Sequence, residues 1–219
     1  RVSGGRVRKI AEHILGGLPK TRMATTRTFK NAAGVAIDAG LAIFFEAPNS
    51  YTGEDVLELQ GHGGPAVLRL LLRSCIDSGA RLAEPGEFTQ RAYLNDKMDL
   101  AQAESVADLI GASSAAAVLS AHRSLSGEFS SRTEAIKVEL IEIRVFVEAA
   151  IDFSDEEIDF LEDRLVMDRI KSICQKLKTL RSLASQGNLL REGVKVVLAG
   201  EPNVGKSTLM NLLSEEEAS

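Results

Sequence analysis

Apolar residues recur with a helical period over much of the second half of the chain. They return at steps of three, four or seven from Val118 through Phe129 to Ile151, and at steps of three or four from Val166 to Leu180. Such a stripe lies along one face of a helix and needs another helix to cover it. The spacing therefore predicts a helical bundle over residues 98–191, in which the acidic stretch Asp152–Asp163 connects two helices.

The residues before this region mix strand and helix patterns. Arg6–Leu15 has the apolar periodicity of a helix, Leu41–Phe45 reads as a buried strand, and Asp55–Gln60 reads as a half-buried strand. Pro65 suits the first turn of a helix that runs to about Ser78. We predict the α+β class, with a mixed α/β domain over residues 1–97.

A third region covers residues 192–219. The apolar run Val194–Ala199 predicts a strand, and the residues from Ser207 to Leu213 predict a helix. Between them, Gly200–Ser207 fits the phosphate-binding loop pattern G-x-x-x-x-G-K-[ST] without a gap. Strand, loop and helix in this order predict the beginning of a P-loop nucleotide-binding domain.

Each part of this loop suits a polyanionic triphosphate. Gly205 lets backbone N–H groups approach phosphate oxygens, and the helix that follows adds its own free N–H groups. Lys206 supplies a positive charge for the β- and γ-phosphates, and the hydroxyl of Ser207 suits Mg²⁺. The alternative is a glycine-rich surface turn that binds no ligand, and the flanking strand and helix patterns disfavour it. The motif alone predicts a purine nucleoside triphosphate and leaves the base open.

Composition narrows the class of protein. The 219 residues have a formal charge of −5, two cysteines without C-x-x-C spacing, and no apolar run near the about 18 residues of a membrane span. We expect a cytoplasmic protein with no membrane contact. The first 30 residues hold eight cations and one acid, a pattern that suits either an RNA-facing surface or an ordinary solvated face.

Three long segments resemble one known family. The family is that of the tRNA wobble-uridine modification GTPases called MnmE or TrmE. The segments that are similar to it are Tyr51–Gly64, Pro85–Glu104 and Ala149–Asp159, and the phosphate-loop segment Gly200–Leu209 is similar to it as well. The resemblance runs along essentially the whole chain in order. These segments are far more specific than the phosphate loop alone.

The resemblance implies a fold and an activity. Members have an N-terminal tetrahydrofolate-binding domain that forms a homodimer, and a helical domain into which a GTPase domain is inserted. With the FAD-containing partner MnmG (GidA), in a heterotetramer, they add an aminomethyl or carboxymethylaminomethyl group to carbon 5 of the wobble uridine of tRNA. The implied cofactors are GTP or GDP, Mg²⁺, K⁺, and 5-formyl- or 5,10-methylene-tetrahydrofolate.

The same resemblance implies site residues. Arg1, Glu58 and Lys97 match the folate contacts of the family, and alternation along the strand places Glu58 opposite Leu57 and Leu59. A carboxylate can accept both N–H donors on the edge of a pterin. Without the family, all three would be taken as surface charges. The residues that match the GTP contacts are Asn203, Val204, Gly205, Lys206, Ser207 and Thr208, with Ser207 for Mg²⁺ and Asn203 for K⁺.

Two motifs that follow the phosphate loop in GTPases do not occur in this sequence. No D-x-x-G or N-K-x-D follows Ser207, so we expect a fragment without catalytic residues of its own and with negligible GTP hydrolysis.

The segment Gly61–Gly64, which contains His62, faintly resembles an esterase oxyanion loop. The chain, however, has no G-x-S-x-G nucleophile motif. We therefore predict a strand-to-helix turn beside the folate pocket.

Two other functions remain open. One is a folate-dependent aminomethyltransferase-like protein with a vestigial phosphate loop, which a functional GTPase domain downstream would exclude. The other is a non-catalytic RNA-binding or dimerisation module that uses the basic first 30 residues, for which we expect salt-dependent tRNA binding.

Overall fold

The computed structural model describes residues 1–152, 163–192, 197–201 and 204–214. Contacts between residues divide the chain into two compact units, Arg1–Val138 and Glu139–Ser219. Helices and a single sheet within the described residues place the chain in the α+β class, which confirms the predicted fold class.

The sheet of the first unit has four antiparallel strands in the order β1-β4-β3-β2. They are β1 (Val2–Ser3), β2 (Thr25–Lys30), β3 (Ala36–Phe45) and β4 (Val56–Gln60). The two strands predicted from the sequence are the buried part of β3 and β4. β2 lies at an edge and exposes most of its residues, so no apolar alternation marks it in the sequence.

Two helices pack on the sheet, α1 (Val7–Leu15) and α2 (Pro65–Asp77), close to their predicted bounds. α1 ends at Gly16, whose φ of 71° is the left-handed conformation that commonly closes a helix. A cluster of buried apolar side chains forms the core between the helices and the sheet. It consists of Val7, Ile10, Ala11, Ile14, Leu15, Phe29, Ala42, Phe44, Leu57, Leu71 and Cys75.

Three shorter helices follow: α3 (Glu87–Leu94), α4 (Leu100–Gly111) and α5 (Ala115–Leu125). α4 begins with a capping box, in which Asp99 and Gln102 each accept a hydrogen bond from the backbone N–H of the other. Gln102 also donates from Nε2 to the carbonyl of Leu125 at 3.0 Å, which ties the start of α4 to the end of α5. The helical region predicted after residue 98 is therefore confirmed here.

The apolar stripe predicted to run on from Val118 to Ile151 is interrupted. α5 ends at Leu125 and α6 (Glu128–Asp152) begins after Gly127, whose φ of 85° is in the left-handed region. In α5 the buried positions are Ala117 and Ala121, whereas Val118 is exposed. The spacing was misread because three-to-four periodicity continues across a break when the two helices happen to be in phase.

In the second unit, the part of α6 from Glu139 onward contacts α7 (Asp163–Glu192). Ile143 and Ile173 are buried, and two ion pairs join the helices, Glu142 with Arg169 and Glu139 with Lys176. The acidic connection predicted over residues 152–163 lies almost entirely outside the described residues. The last helix is α8 (Lys206–Ser214).

The strand predicted over Val194–Ala199 differs from the structure. Residues 197–199 are not in a strand, and 194–196 lie outside the described residues. A strand is stabilised by hydrogen bonds to a neighbour, and in the described ranges the only sheet is the one in the first unit.

Candidate functional site

Arg1 and Glu58 form an ion pair at the edge of the sheet. β1 and β4 are antiparallel with Val2 opposite Leu57, and this register brings Arg1 beside Glu58. The Nε and Nη2 atoms of Arg1 lie 2.8 Å and 2.6 Å from the same carboxylate oxygen, Oε1. The buried Leu57 belongs to the core and Leu59 packs against it, so Glu58 is on the opposite face of β4, as alternation predicts.

The aromatic ring of Tyr51 lies next to this ion pair, on the side of Arg1. The guanidinium carbon of Arg1 is 5.7 Å from the centroid of the Tyr51 ring, within the range of a cation–π contact. The Tyr51 hydroxyl is 2.8 Å from Oγ1 of Thr89 on α3, so the hydroxyl anchors the ring while one ring face lies against Arg1. Sequence reasoning assigned Tyr51 no role; its only signal was its place in a segment shared with the MnmE family.

Lys97, the third residue with a predicted folate role, lies two residues beyond the end cap of α3. Its backbone N–H donates to the carbonyl of Ala92 at 2.9 Å. Its exposed side chain passes so close to Gly53 that a Cβ built on that glycine would lie 3.1 Å from Cγ of Lys97. The structure therefore joins Arg1 to Glu58 directly, and links Arg1 and Lys97 to the same short segment, Tyr51–Gly53.

A polar network fixes this segment. Thr52 is fully buried; its hydroxyl is 2.7 Å from that of Ser3, and its carbonyl accepts from Nδ2 of Asn95 at 2.7 Å. Glu54 accepts from Ser3 at 2.9 Å and from Nη1 of Arg91 at 3.1 Å. Buried polar groups that all have partners give one well-defined conformation. Tyr51 and Gly53 are thus held at fixed places between β1 and α3.

Glu87 extends the network to the other side of α3. Its carboxylate is almost buried and accepts from Arg81 at 2.5 Å and 2.8 Å, from the backbone N–H of Glu84 at 2.8 Å, and from Arg91 at 2.9 Å. The hydrogen bonds from Arg81, then from the Glu84 N–H and Arg91, lower the pKa of Glu87 to about 2. The carboxylate is ionised at every physiological pH.

A cleft of about 750 Å³ opens on the opposite face of β4 from Glu58. Its walls are mostly apolar, and its cationic groups include Arg6, Arg81 and Arg91. Arg1 borders it, whereas Glu58 and Lys97 do not. The residues with predicted folate roles are therefore not gathered in this cleft.

The phosphate loop is described on both sides of residues 202 and 203. Gly205 has a φ of 88°, with no atom within 4 Å of where a Cβ would lie, and α8 begins at Lys206, one residue before the predicted Ser207. The Lys206 ammonium donates to the carbonyls of Gly200 at 3.0 Å and Glu201 at 2.6 Å. The ammonium thus lies over the loop, where it suits an anion. Val204, Ser207 and Thr208 are exposed, and Asn203 lies outside the described residues.

The segment around His62 forms the predicted strand-to-helix turn. β4 ends at Gln60 and α2 begins at Pro65. His62 donates to the Asp38 carboxylate twice, from its backbone N–H at 2.9 Å and from Nδ1 at 2.8 Å. These hydrogen bonds, the backbone one first, hold the pKa of Asp38 below its ordinary value. The contact explains the turn without an esterase-like role.

The described residues contain neither a cluster of His, Cys, Asp and Glu side chains nor a helix suited to cross a bilayer. Within 1–152, 163–192, 197–201 and 204–214, no three His, Cys, Asp or Glu side chains come together as a metal site would need. Among the helices of those residues, none combines the length and the apolar character that a bilayer span requires.

An α+β domain, a helical region and a phosphate-loop sequence define a class of multidomain proteins with a P-loop motif, and comparisons identify the family within it. The family model "GTP-binding protein TrmE N-terminus" matches residues 1–97, and "MnmE helical domain" matches residues 100–218. The chain belongs to the MnmE (TrmE) family.

Curated relatives cover the whole chain. It is 57% identical over 218 residues to the tRNA modification GTPase MnmE of Thiobacillus denitrificans, which covers 100% of this chain and 49% of that protein. The MnmE proteins of Chromohalobacter salexigens and Haemophilus influenzae are 56% and 55% identical, over 100% of this chain and 48% of their own length. The chain thus spans about half the length of the curated relatives it matches.

Proposed function

We propose that this chain is the N-terminal half of a GTPase that modifies tRNA. The whole protein adds an aminomethyl or carboxymethylaminomethyl group to carbon 5 of the wobble uridine and takes the one-carbon unit from a folate. The names of the relatives support tRNA modification and GTP hydrolysis. The observation that supports the folate step is the Arg1–Glu58 pair beside Tyr51.

The site around Glu58 suits a pterin. A pterin has two adjacent N–H donors on its pyrimidine edge, and a carboxylate accepts both in a bidentate arrangement. The Glu58 side chain is 20% exposed, so a ligand can reach it while its surroundings exclude much of the water. Arg1 and Lys97 supply positive charge for the carboxylates of a folate tail. We assign folate binding to Arg1, Glu58 and Lys97.

The phosphate loop suits a nucleoside triphosphate with its metal ions. Lys206 would contact the β- and γ-phosphates together with backbone N–H groups of Val204 to Thr208, and Ser207 would hold Mg²⁺. Asn203 would bind K⁺, whose charge would offset the negative charge of phosphoryl transfer. The preference for GTP follows from family membership.

The proposed organisation follows the family. Residues 1–97 form the folate domain and the homodimer contact, 98–191 the first half of the helical domain, and 192–219 the start of the GTPase domain. The FAD-containing partner MnmG joins a heterotetramer, and tRNA is the substrate. The described part of the chain supplies binding groups, and we place no catalytic residue in it.

Calorimetric titration with 5-formyltetrahydrofolate tests the folate step. We expect Glu58→Ala to weaken binding by at least about tenfold, because hydrogen bonds to a charged group are lost. Glu46→Ala is the matched control, since Glu46 is an exposed carboxylate that also pairs with an arginine, Arg8, at 2.7 Å. Its affinity is expected within about twofold of the unaltered chain. Equal affinity of all three proteins would remove Glu58 from the site.

The RNA-binding alternative receives less support from the structure. Of the eight cations in the first 30 residues, four are engaged within the chain. Arg1 and Arg8 pair with carboxylates, and Arg6 and Arg22 donate to the carbonyls of Gly79 and Asn49. The charges of Arg1 and Arg8 are already offset by carboxylates, so these two residues add little to the counterion release that drives RNA binding. A salt-dependent tRNA affinity of this chain alone would revive the alternative.

A further inference from the structure

We infer that Tyr51 is a ligand-positioning residue of the proposed folate site, and that its ring face receives the planar pyrimidinone ring of the pterin that Glu58 binds. The inference rests on the proposed function and adds to it a residue and an interaction. The observation that supports it is the position of the Arg1 guanidinium between Glu58 and Tyr51.

This guanidinium occupies the position that a pterin edge needs. It is planar, it presents N–H donors on an N–C–N unit, and the 2-amino-pyrimidinone edge of a pterin does the same. In the structure it contacts Glu58 at 2.6 Å and lies 5.7 Å from the centroid of the Tyr51 ring. A planar group held by Glu58 at this place is therefore within reach of the ring of Tyr51.

Binding of the pterin displaces Arg1 from the carboxylate. Both contacts of Arg1 fall on Oε1, whereas a bidentate pterin edge uses both oxygens of Glu58. The guanidinium must then leave Oε1, and it becomes free to pair with another part of the folate. The ring of Tyr51 loses its cationic neighbour at the same time, and the heterocycle takes that place.

The ring of Tyr51 is already in position for this contact. Its hydroxyl forms a hydrogen bond with Thr89, and the next residue, Thr52, is completely buried. The residue as a whole is 36% exposed, so part of its surface is available to a ligand. Because little side-chain freedom remains to be lost, most of the stacking energy contributes to binding. The contact favours a planar heterocycle over an aliphatic amine that could also form a hydrogen bond to Glu58.

Fluorine NMR tests the contact on the unaltered chain. The chain has only two tyrosines, so incorporation of 3-fluorotyrosine gives two resonances, which Tyr93→Phe assigns. Tyr93 is exposed on α3 and serves as the internal control. On titration with 5-formyltetrahydrofolate, we expect the Tyr51 resonance to shift with the calorimetric binding curve while that of Tyr93 stays in place.

Affinities of three variants complete the test. Tyr51→Leu is expected to weaken folate binding by about tenfold, in line with the loss of an aromatic stack. Tyr51→Phe keeps the ring and is expected within about threefold, and Tyr93→Leu is expected to bind as the unaltered chain does.

The possible failures can be told apart. If folate binds but the Tyr51 resonance does not move and Tyr51→Leu binds normally, Tyr51 has no part in the site while the proposed function stands. If Tyr51→Phe loses as much affinity as Tyr51→Leu, the hydroxyl and not the ring is responsible, which also overturns the inference. If the unaltered chain binds no folate, both the inference and the proposed folate step fail.

Discussion

The side chain of Lys97 lies against the backbone of Gly53. A Cβ at Gly53 would lie 3.1 Å from Cγ of Lys97 and 3.1 Å from Cβ of Asn95, closer than real Cβ contacts normally are. Gly53 also has a φ of 78°, where other residues are strained. The absence of a side chain at Gly53 therefore decides where the stem of Lys97 can run.

Gly53→Ala is expected to destabilise the fold and to move Lys97. An alanine in the left-handed conformation lowers the free energy of unfolding by about 1 kcal/mol, and the close contacts with Lys97 and Asn95 lower it further. Gly34→Ala isolates the backbone term, because Gly34 has a φ of 79° with no atom within 4 Å of its Cβ position. Thermal melts and folate titrations of both variants make the comparison. Equal loss of stability and equal folate affinity would contradict the role of the Lys97 contact.

Glu87→Gln is expected to lower the melting temperature by roughly 5 °C or more, because Arg81 and Arg91 lose their shared charged partner. Glu84→Gln is the control: its backbone N–H binds Glu87, but its exposed side chain has no ion pair within the described residues. A thermal melt at neutral pH separates the two variants. If both melt alike, the Glu87 network does not stabilise the domain.

The effect of Glu87 also depends on pH. Its pKa in the folded chain, about 2, lies below the ordinary 4.5, so the unfolded chain binds the proton more readily. The stabilisation is complete above pH 4.5 and is lost as the pH falls toward about 2. We expect the difference in melting temperature between the unaltered chain and Glu87→Gln to narrow through this window. A difference that stays constant would assign the effect to packing.

Gly61→Ala is expected to disrupt the turn that His62 forms with Asp38. A Cβ at Gly61 would lie 2.4 Å from Oδ2 of Asp38, so the carboxylate would have to leave the backbone N–H of His62. Gly64→Ala in the same turn meets only an ordinary contact of 3.9 Å with Val67. NMR of the His62 amide reports the loss of its hydrogen bond, and thermal melts report the loss of stability. We expect the free energy of unfolding to fall by about 1–3 kcal/mol in Gly61→Ala and by about a few tenths of a kcal/mol in Gly64→Ala. An unshifted His62 amide in Gly61→Ala would disprove the steric reason.

Lys206→Ala is expected to reduce GTP affinity of the full-length protein by at least about a hundredfold, because a charge-assisted contact to two phosphates is lost. Lys178→Ala, an exposed lysine of α7, is the control and is expected to leave affinity unchanged. Titration of a fluorescent GTP analogue with Mg²⁺ measures both. Retained affinity in Lys206→Ala would remove this lysine from the nucleotide site.

Several features could be predicted because they depend on near neighbours in the chain. Strand alternation placed Glu58 opposite Leu57, and the sequence placed the start of α8 at Ser207, one residue from the observed start at Lys206. Pro65 marked the first turn of α2 because proline suits only that part of a helix. In each case the local backbone conformation alone gives the answer.

Other features could not be predicted, since they depend on residues far apart in the chain. Tyr51 meets Arg1 and Thr89 only after β1, β4 and α3 have assembled. The break at Gly127 was missed because the apolar spacing continues in phase across it. The partners of Glu87 were equally hidden: charged residues with no apolar periodicity give no signal of burial.

By itself, the sequence determined the α+β class, the order of the main helices and the phosphate-loop motif, because periodicity, proline and glycine act over a few residues. It also determined the family, since long matched segments in order do not arise by chance. Only the tertiary structure decided that Arg1 contacts Glu58 over Tyr51, and that Gly53 leaves room for Lys97. Arg1 and Glu58 are 57 positions apart, and the path of Lys97 depends on the absence of a side chain at Gly53, so no local pattern encodes these contacts.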